Sequence, residues 1–184
     1  MSRKSVTSPS PPVPVELVEV VDRHDRVLGV MSLDEVHRQS LFHRAVLVVL
    51  FNPENKIYLQ KRARSKALYP GRWDLSVTGH VQRGESRVEA ALRETEEELG
   101  LRVERLVERR EMPAGPLTGF EFLTLFSVGP VREPPRPNPE ELEGGMFVDR
   151  EEFLFLQSHY RDMLTPALVY CGENELLFPS MTNP

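Results

Sequence analysis

The sequence has few of the features that mark a secreted, membrane-spanning or nucleic-acid-binding protein. Cys171 is its only cysteine, so it has neither a disulfide framework nor a cluster of zinc-ligating cysteines. No run approaches the roughly 18 apolar residues of a membrane span, and the N-terminal segment contains no apolar signal core. The net charge of −5 gives no basic excess for a nucleic acid polymer. These absences favour a cytoplasmic protein that acts on a small molecule, away from membranes.

The composition along the chain predicts one domain preceded by a tail. Proline and serine dominate residues 1–14, which predicts a disordered N-terminal tail. Residues 15–184 are long enough for one domain with its own core, and the sequence is compatible with a monomer or a homodimer. Hydrophobic periodicity predicts a hairpin within 16–30, strands over 45–52, 57–61, 73–78, 102–111, 120–128 and 145–148, and helices over 33–39, 86–99 and 150–155 and from 165. This order indicates an α/β protein, an α/β/α sandwich with a mixed sheet.

The most informative segment is the acidic stretch 85–98, which carries six glutamates and two arginines. Glu94, Glu97 and Glu98 stand at i, i+3 and i+4 and therefore fall within about 100° on one helix face. Carboxylates held this close repel one another, and a hard divalent cation makes such a cluster favourable. The spacing predicts a site for Mg2+, with Mn2+ as the alternative, and chemistry on phosphates.

The predicted helix around these glutamates has clear ends. Ser86 and Glu89 form a Ser-x-x-Glu capping box, and Gly100 supplies a left-handed stop. Ser32 is similarly the predicted N-cap of the helix over 33–39. Apolar side chains recur at helical spacing and predict a buried stripe that leaves the three glutamates on the opposite and flanking side: Val88, Ala91, Leu92, Thr95 and Leu99.

The whole segment resembles the Nudix box, Gly-x5-Glu-x7-Arg-Glu-U-x-Glu-Glu-x-Gly-U, where U is a bulky apolar residue. The matching positions are Gly79, Glu85, Arg93, Glu94, Glu97, Glu98, Gly100 and Leu101, and the one departure is Thr95 in place of an aliphatic residue. The resemblance implies an α/β/α sandwich that cleaves a diphosphate linkage in a nucleoside di- or triphosphate or a nucleoside-diphosphate derivative by water attack at phosphorus. It also implies that Glu94, Glu97 and Glu98 hold the metal, that Glu97 or Glu98 is the general base, and that Gly79, Glu85 and Arg93 support the site.

The segment from His43 to His80 further resembles the branch of this superfamily related to isopentenyl diphosphate isomerase. That resemblance implies that Arg62 and Lys66 bind the diphosphate, which suits the bidentate guanidinium and the point charge of lysine. The isomerases carry a catalytic cysteine where this chain has Thr78, which argues against isomerisation. An isomerase-like activity and a non-catalytic nucleotide-sensing module are the alternatives to hydrolysis.

Five further residues have a functional and a structural interpretation. Glu141 matches a late acidic residue of the isomerases, and we expect it to activate water or to bind metal, with a surface acid as the alternative. Glu121, His43 and His80 match isomerase metal ligands, and His37 lies near a third histidine position. The resemblance therefore implies a second, histidine-rich metal site, and ordinary structural histidines are the alternative.

Overall fold

The computed structural model describes residues 15–178, apart from the side chain of Leu117. The predicted tail, 1–14, and the last residues of the predicted domain, 179–184, lie outside the described residues. The strands are β1 (Leu17–Val21), β2 (Val27–Ser32), β3 (His43–Leu50), β4 (Ile57–Arg62), β5 (Trp73–Asp74), β6 (Val77–His80), β7 (Val107–Met112), β8 (Glu121–Val128) and β9 (Leu142–Val148). The α-helices are α1 (Leu33–Gln39), α2 (Arg87–Leu99), α3 (Arg150–His159) and α4 (Pro166–Glu173).

The described strands form three sheets. The hairpin β1–β2 is one, a four-stranded sheet has the order β6-β3-β8-β7, and a three-stranded sheet has the order β5-β4-β9. The four-stranded sheet is mixed, because β3 runs parallel to β8 whereas β6 and β7 are antiparallel to their neighbours. The predicted α/β fold with a mixed sheet is confirmed.

Strand β3 shows why helices lie on both sides of this sheet. Successive side chains of a strand point to opposite faces. Ala45, Leu47 and Val49 belong to a core cluster that includes side chains of α3 and α4. The alternate residues Val46, Val48 and Leu50 belong to a second core cluster. That cluster also includes Ala90, Ala91 and Leu99 of α2. The apolar run of β3 is therefore the centre of the predicted α/β/α sandwich.

None of the described helices is long and apolar enough to cross a membrane.

The predicted strand over 73–78 is wrong, since the segment is divided between two sheets. β5 pairs with β4, and β6 pairs with β3. The hydroxyl of buried Ser76 lies between the sheets, where it accepts a hydrogen bond from the Leu50 N–H (2.8 Å) and donates one to the Tyr58 carbonyl (2.6 Å). One serine thus joins the two sheets at the point where the strand breaks.

Helix α2 has the predicted capping box and the predicted left-handed Gly100, but its buried side is turned from the predicted stripe. Val88 is 46% exposed, whereas Ala90 is fully buried and Glu98 is only 4% exposed. Glu94 and Glu98 therefore lie against the protein, whereas Glu97 is exposed. The Ser32 prediction is also wrong in one respect, because its side chain makes no capping hydrogen bond.

Candidate active site

The glutamates of α2 form one wall of a cavity of about 300 Å3 between α2, β6 and the loops after β4 and before β9. The cavity brings together nine residues that the sequence singled out: Arg62, Lys66, Gly79, His80, Arg93, Glu94, Glu97, Glu98 and Glu141. Glu85 contacts this wall through Arg93 and does not line the cavity. His43 and Glu121 lie in a separate cluster that His80 shares.

Glu98 is a buried carboxylate with little direct stabilisation from the protein. Its Oε2 accepts a hydrogen bond from the Thr78 N–H at 3.2 Å. Burial, followed by the neighbouring charge of Glu94, raises the pKa of Glu98 well above its usual range. A buried carboxylate with so few partners is costly unless a cation is near. The hard oxygen donors of Glu94, Glu97 and Glu98 fit a divalent cation such as Mg2+.

Glu94 lies directly against the backbone of β6. A Cβ on Gly79 would be 2.1 Å from the Glu94 Cδ, so only glycine leaves room for this carboxylate. Burial raises the pKa of Glu94 to about 7, although Arg93 opposes the shift. The backbone of Gly79 is in an ordinary conformation that other residues can adopt. Glycine is required at this position because any side chain would collide with the Glu94 carboxyl.

Arg93 connects the loop before α2 to the acidic wall. Its Nε and Nη2 donate to the two carboxylate oxygens of Glu85 at 2.9 and 3.0 Å, and Nη2 also donates to the His80 carbonyl at 3.0 Å. Its Nη1 donates to Glu94 at 2.7 Å and to Glu97 at 3.1 Å. The N–H groups of Arg93 are therefore used to orient carboxylates and the His80 carbonyl, so substrate must be bound by other cations.

Those cations stand on the opposite wall. Arg62, at the end of β4, is only 12% exposed and donates through Nη1 to Thr78 Oγ1 at 3.3 Å. Lys66 forms an ion pair with Glu141, and the Glu141 carbonyl accepts a hydrogen bond from the Ala63 N–H at 2.9 Å. The loops that carry Lys66 and Glu141 are thus joined to each other, and both face the glutamates of α2.

Three histidines and Glu121 form a second cluster beside this cavity. The Nε2 atoms of His37, His43 and His80 lie 3.7, 3.5 and 3.3 Å from Glu121 Oε1. Sheet register explains the arrangement. His43 of β3 is paired with Glu121 of β8. His80 of β6 is paired with Ala45, two residues after His43 on β3, so the side chains of His43, His80 and Glu121 come close together. Each residue offers one ligand atom, and these four atoms lie within 4.8 Å of one another.

The donor atoms of this cluster fit a metal ion. The buried Nε2 atoms of His37 and His43 have no hydrogen-bond partner among the described residues. His43 Nδ1 donates to the Leu41 carbonyl at 3.0 Å, so in the neutral ring Nε2 presents its lone pair. Ligands bound at about 2.1 Å to one tetrahedral ion are about 3.4 Å apart, close to the spacing to Glu121.

The sequence did not identify three other polar residues that line the cavity: Glu16, Gln82 and Asn138. Glu16 precedes β1 and lies 4.0 Å from His80 Nδ1. Asn138 reaches the site because its N–H donates to the Glu98 carbonyl at 2.8 Å. Glu16 and Asn138 belong to no spaced motif and enter the site through tertiary contacts that the local sequence does not encode, whereas Gln82 occupies an unspecified position between Gly79 and Glu85.

Comparison with known proteins agrees with this geometry. A NUDIX domain model matches residues 41–166. The chain is 45% identical to an uncharacterised Nudix hydrolase of Pseudomonas aeruginosa over 87 residues, which cover 47% of this chain and 52% of that protein. It is 36% identical to an isopentenyl-diphosphate Delta-isomerase of Streptomyces griseus over 143 residues, 74% of this chain and 72% of that protein. A crystal structure from Deinococcus radiodurans has a TM-score of 0.75 at 26% identity and covers 86% of this chain and 98% of that one.

The chain therefore belongs to the Nudix family, whose hydrolases act on phosphoanhydride bonds, and the predicted resemblance is confirmed. The chain spans about half the length of the uncharacterised Nudix hydrolases of Pseudomonas aeruginosa and Yersinia pestis that it matches. Its relatives include both proteins named as Nudix hydrolases and proteins named as isomerases. Family membership alone thus does not distinguish hydrolysis from isomerisation.

We expect Gly79→Ala to weaken Mg2+ binding while the protein still folds. The added methyl group collides with the Glu94 carboxyl, which is the mobile end of a side chain and moves at little cost to the fold. Isothermal titration with Mg2+ should show weaker binding, and thermal unfolding of the metal-free protein should change little. Gly29→Ala is the matched control, since a Cβ there meets nothing within 4 Å. Unchanged Mg2+ affinity in Gly79→Ala would contradict the proposed role of Glu94.

Proposed function

We propose that this protein is a Mg2+-dependent hydrolase that cleaves the diphosphate linkage of a nucleoside di- or triphosphate or of a nucleoside-diphosphate derivative. The observation that carries the proposal is a cavity with three glutamates on one wall and Arg62 with Lys66 on the other. A diphosphate is the ligand that satisfies both walls, because its oxygens bind guanidinium and ammonium groups on one side and metal ions on the other.

The proposed reaction assigns a role to each wall. Glu94, Glu97 and Glu98 would hold the metal, which would supply positive charge for the phosphate oxygens and make the attacking water more acidic. Arg62 and Lys66 bind the diphosphate and orient it toward the glutamates. A water oxygen forms a bond to phosphorus while the bridging P–O bond breaks, the leaving phosphate keeps the electron pair, and the proton of the water passes to a carboxylate.

We assign that proton to Glu98, with Glu97 and Glu141 as the alternatives. A general base must reach the attacking water and be free of a strong partner of its own, and Glu98 lines the cavity, accepts a hydrogen bond from the Thr78 N–H and forms no ion pair with the described residues. Glu97 is more than half exposed and is hydrogen-bonded to Arg93, and Glu141 is paired with Lys66. Comparing Glu97→Gln, Glu98→Gln and Glu141→Gln by kcat separates the three assignments.

Isomerisation of an isopentenyl-type diphosphate is the second candidate function, and the histidine cluster favours it. Thr78, which stands where the isomerases have their catalytic cysteine, argues against isomerisation. The Thr78 hydroxyl accepts hydrogen bonds from Gln60 and Arg62, both at 3.3 Å, and a threonine hydroxyl is a far weaker acid than a thiol. Cys171 does not replace it, because it is buried in the core cluster of α4, where burial raises its pKa to about 12.

The experiment that tests the function is a substrate panel with product identification. Nucleoside di- and triphosphates, nucleotide sugars, dinucleotides and isopentenyl diphosphate are incubated with the protein with and without Mg2+, and products are identified by 31P NMR and mass spectrometry. Metal-dependent release of phosphate-containing products supports hydrolysis. Double-bond migration without phosphate release supports the isomerase. Tight binding of one nucleotide without any turnover supports the sensing module and overturns both reactions.

We propose in addition that His37, His43, His80 and Glu121 bind one transition-metal ion, because imidazole nitrogen is a softer donor than carboxylate oxygen. We expect His37→Asn to weaken binding of Zn2+ or Mn2+ by at least about tenfold, since it removes a ligand atom. Isothermal titration and metal analysis of the purified protein measure this. His24→Asn, an exposed histidine outside the cluster, is the control. Equal metal content in both variants would contradict the site.

The remaining expectations from the sequence stay proposals. They are a single domain over 15–184 after a tail, a cytoplasmic location, and no nucleic acid polymer as partner. Sedimentation of the purified protein distinguishes the monomer from the homodimer.

A further inference from the structure

The Asp74 carboxylate lies outside the cavity and forms a hydrogen bond with Arg62, the arginine that lines the cavity. Asp74 of β5 is 4% exposed and does not line the cavity. Its Oδ2 accepts a hydrogen bond from Arg62 Nη1 at 3.3 Å. Its Oδ1 accepts one from the Thr165 hydroxyl at 2.6 Å and one from the Leu75 N–H at 2.9 Å. Both oxygens are therefore committed to protein donors, and neither is available to a ligand in the cavity.

The register of the sheet makes this contact possible. Asp74 is directly opposite Gln60 in the antiparallel pair β4–β5, and Arg62 stands two residues further along β4 on the same face. Diagonal neighbours at this spacing are within reach of a long side chain. The Arg62 Nε donates to the Leu68 carbonyl at 3.1 Å and Nη1 is shared between Asp74 and Thr78. Nη2 donates to none of the described residues, so its two N–H groups remain available in the cavity.

Asp74 is in turn fixed by the start of α4. The Thr165 N–H donates to the Trp73 carbonyl at 2.9 Å, which ties this residue to β5. Its hydroxyl accepts a hydrogen bond from the Leu168 N–H at 3.3 Å as the N-cap of α4 while it donates to Asp74. The Thr165 hydroxyl therefore has a fixed direction, and the Asp74 carboxylate is held by hydrogen bonds to both of its oxygens.

We propose that Asp74, held by Thr165, is a positioning residue that orients Arg62 for a diphosphate. This inference rests on the proposed function, which places Arg62 at the diphosphate. An arginine side chain that is free to rotate loses rotamer entropy when it binds, and a partner that fixes it beforehand removes that loss. Asp74 acts without touching the ligand, and the C-terminal helix α4 contributes to the site through the Thr165 cap.

A double-mutant cycle tests the inference with inorganic imidodiphosphate, a diphosphate analogue that resists hydrolysis, in the presence of Mg2+. Affinity is measured for the wild type, Asp74→Asn, Arg62→Ala and the double variant. We expect Asp74→Asn to weaken binding roughly 5- to 50-fold in the wild-type background and to change nothing in the Arg62→Ala background. Equal weakening in both backgrounds would mean that Asp74 does not act through Arg62, and the inference would be wrong.

Thermal unfolding and a second variant separate positioning from folding. Asp74→Asn should lower the Tm of the wild type, where it leaves Arg62 without its partner, and raise the Tm of Arg62→Ala, where it removes an unpaired buried charge. Thr165→Val removes the hydroxyl that fixes Asp74 and should weaken imidodiphosphate binding in the same direction. Asp149→Ala, which removes the N-cap of α3 away from the cavity, controls for the loss of a cap and should leave binding unchanged.

The outcomes also separate this inference from the proposed function. A wild-type protein that does not bind imidodiphosphate has no diphosphate site, and both proposals are then wrong. Binding that Arg62→Ala weakens but Asp74→Asn and Thr165→Val leave unchanged overturns the positioning role alone. Binding with the expected cycle, but without hydrolysis of any diphosphate in the substrate panel, keeps the positioning role and overturns the reaction. With an active substrate, Asp74→Asn should raise KM and leave kcat nearly unchanged.

Discussion

Glu98→Gln is expected to lower kcat by about 10²- to 10⁴-fold and, at the same time, to stabilise the metal-free protein at neutral pH. The first effect follows from the proposed roles of Glu98 as metal ligand and base. The second follows from its burial: at 4% exposure it accepts one hydrogen bond, from the Thr78 N–H, and Glu94 stands beside it. Glutamine keeps the shape and the acceptor oxygen but has no charge to bury.

The sign of the stability effect follows from proton binding. The pKa of Glu98 is raised in the folded protein, so between the unfolded and the folded pKa the folded state holds a proton that the unfolded chain releases. Folding is then destabilised by an amount that grows as the pH rises from the unfolded pKa toward the folded one. Glutamine removes this term, and the Tm of Glu98→Gln should exceed that of the wild type at pH 7 by several degrees, with the difference vanishing near pH 4.

The measurements are kcat with an active substrate and thermal unfolding in the presence of a chelator. Glu96→Gln is the matched control, because Glu96 is on the same helix but is exposed and paired with Arg102 at 2.6 Å. It should alter neither quantity much. A Glu98→Gln protein that turns over like the wild type would contradict the catalytic role. A variant that is less stable than the wild type in chelator would contradict the account of its burial.

The sequence was sufficient to predict the acidic wall because that wall is encoded locally. Glu94, Glu97 and Glu98 are within five residues of one another on a helix whose capping box and Gly100 stop are also local signals. The face on which they lie was mispredicted, since Val88 is exposed and Glu98 is buried. Helical periodicity gives the relative angles of side chains, but the orientation of the helix is set by packing against β6, which is a tertiary property.

The opposite wall shows what local patterns cannot encode. Arg62 and Lys66 were predicted from resemblance, yet nothing in the sequence connects Arg62 with Asp74 or Asp74 with Thr165, which are 12 and 91 residues apart along the chain. The break between β5 and β6 was missed for the same reason. It depends on Ser76, whose hydroxyl bonds to two strands in different sheets, and a period-two pattern continues through it unchanged.

Removal of metal should make the stability of the protein fall as the pH rises through the neutral range. Burial raises the pKa of Glu94 from 4.5 to about 7, and burial together with Glu94 raises the pKa of Glu98 well above its usual range. A carboxyl with a raised folded pKa binds more protons in the folded than in the unfolded state between the two pKa values. For Glu94 alone the loss between pH 4.5 and pH 7 is roughly 3 kcal/mol.

Mg2+ should reverse this dependence, because it replaces the protons on the same carboxylates. Binding of a cation requires the ionised form, so the affinity for Mg2+ should rise with pH up to about pH 7 and each binding event should release protons. Isothermal titration in two buffers of different ionisation enthalpy at pH 6.5 gives the number of protons released. Glu98→Gln should release fewer, and the exposed control Glu96→Gln should release as many as the wild type. A Mg2+ affinity that is independent of pH between 5.5 and 7.5, with no proton released, would mean that the metal does not bind at the acidic wall and that the carboxylates of α2 have another role.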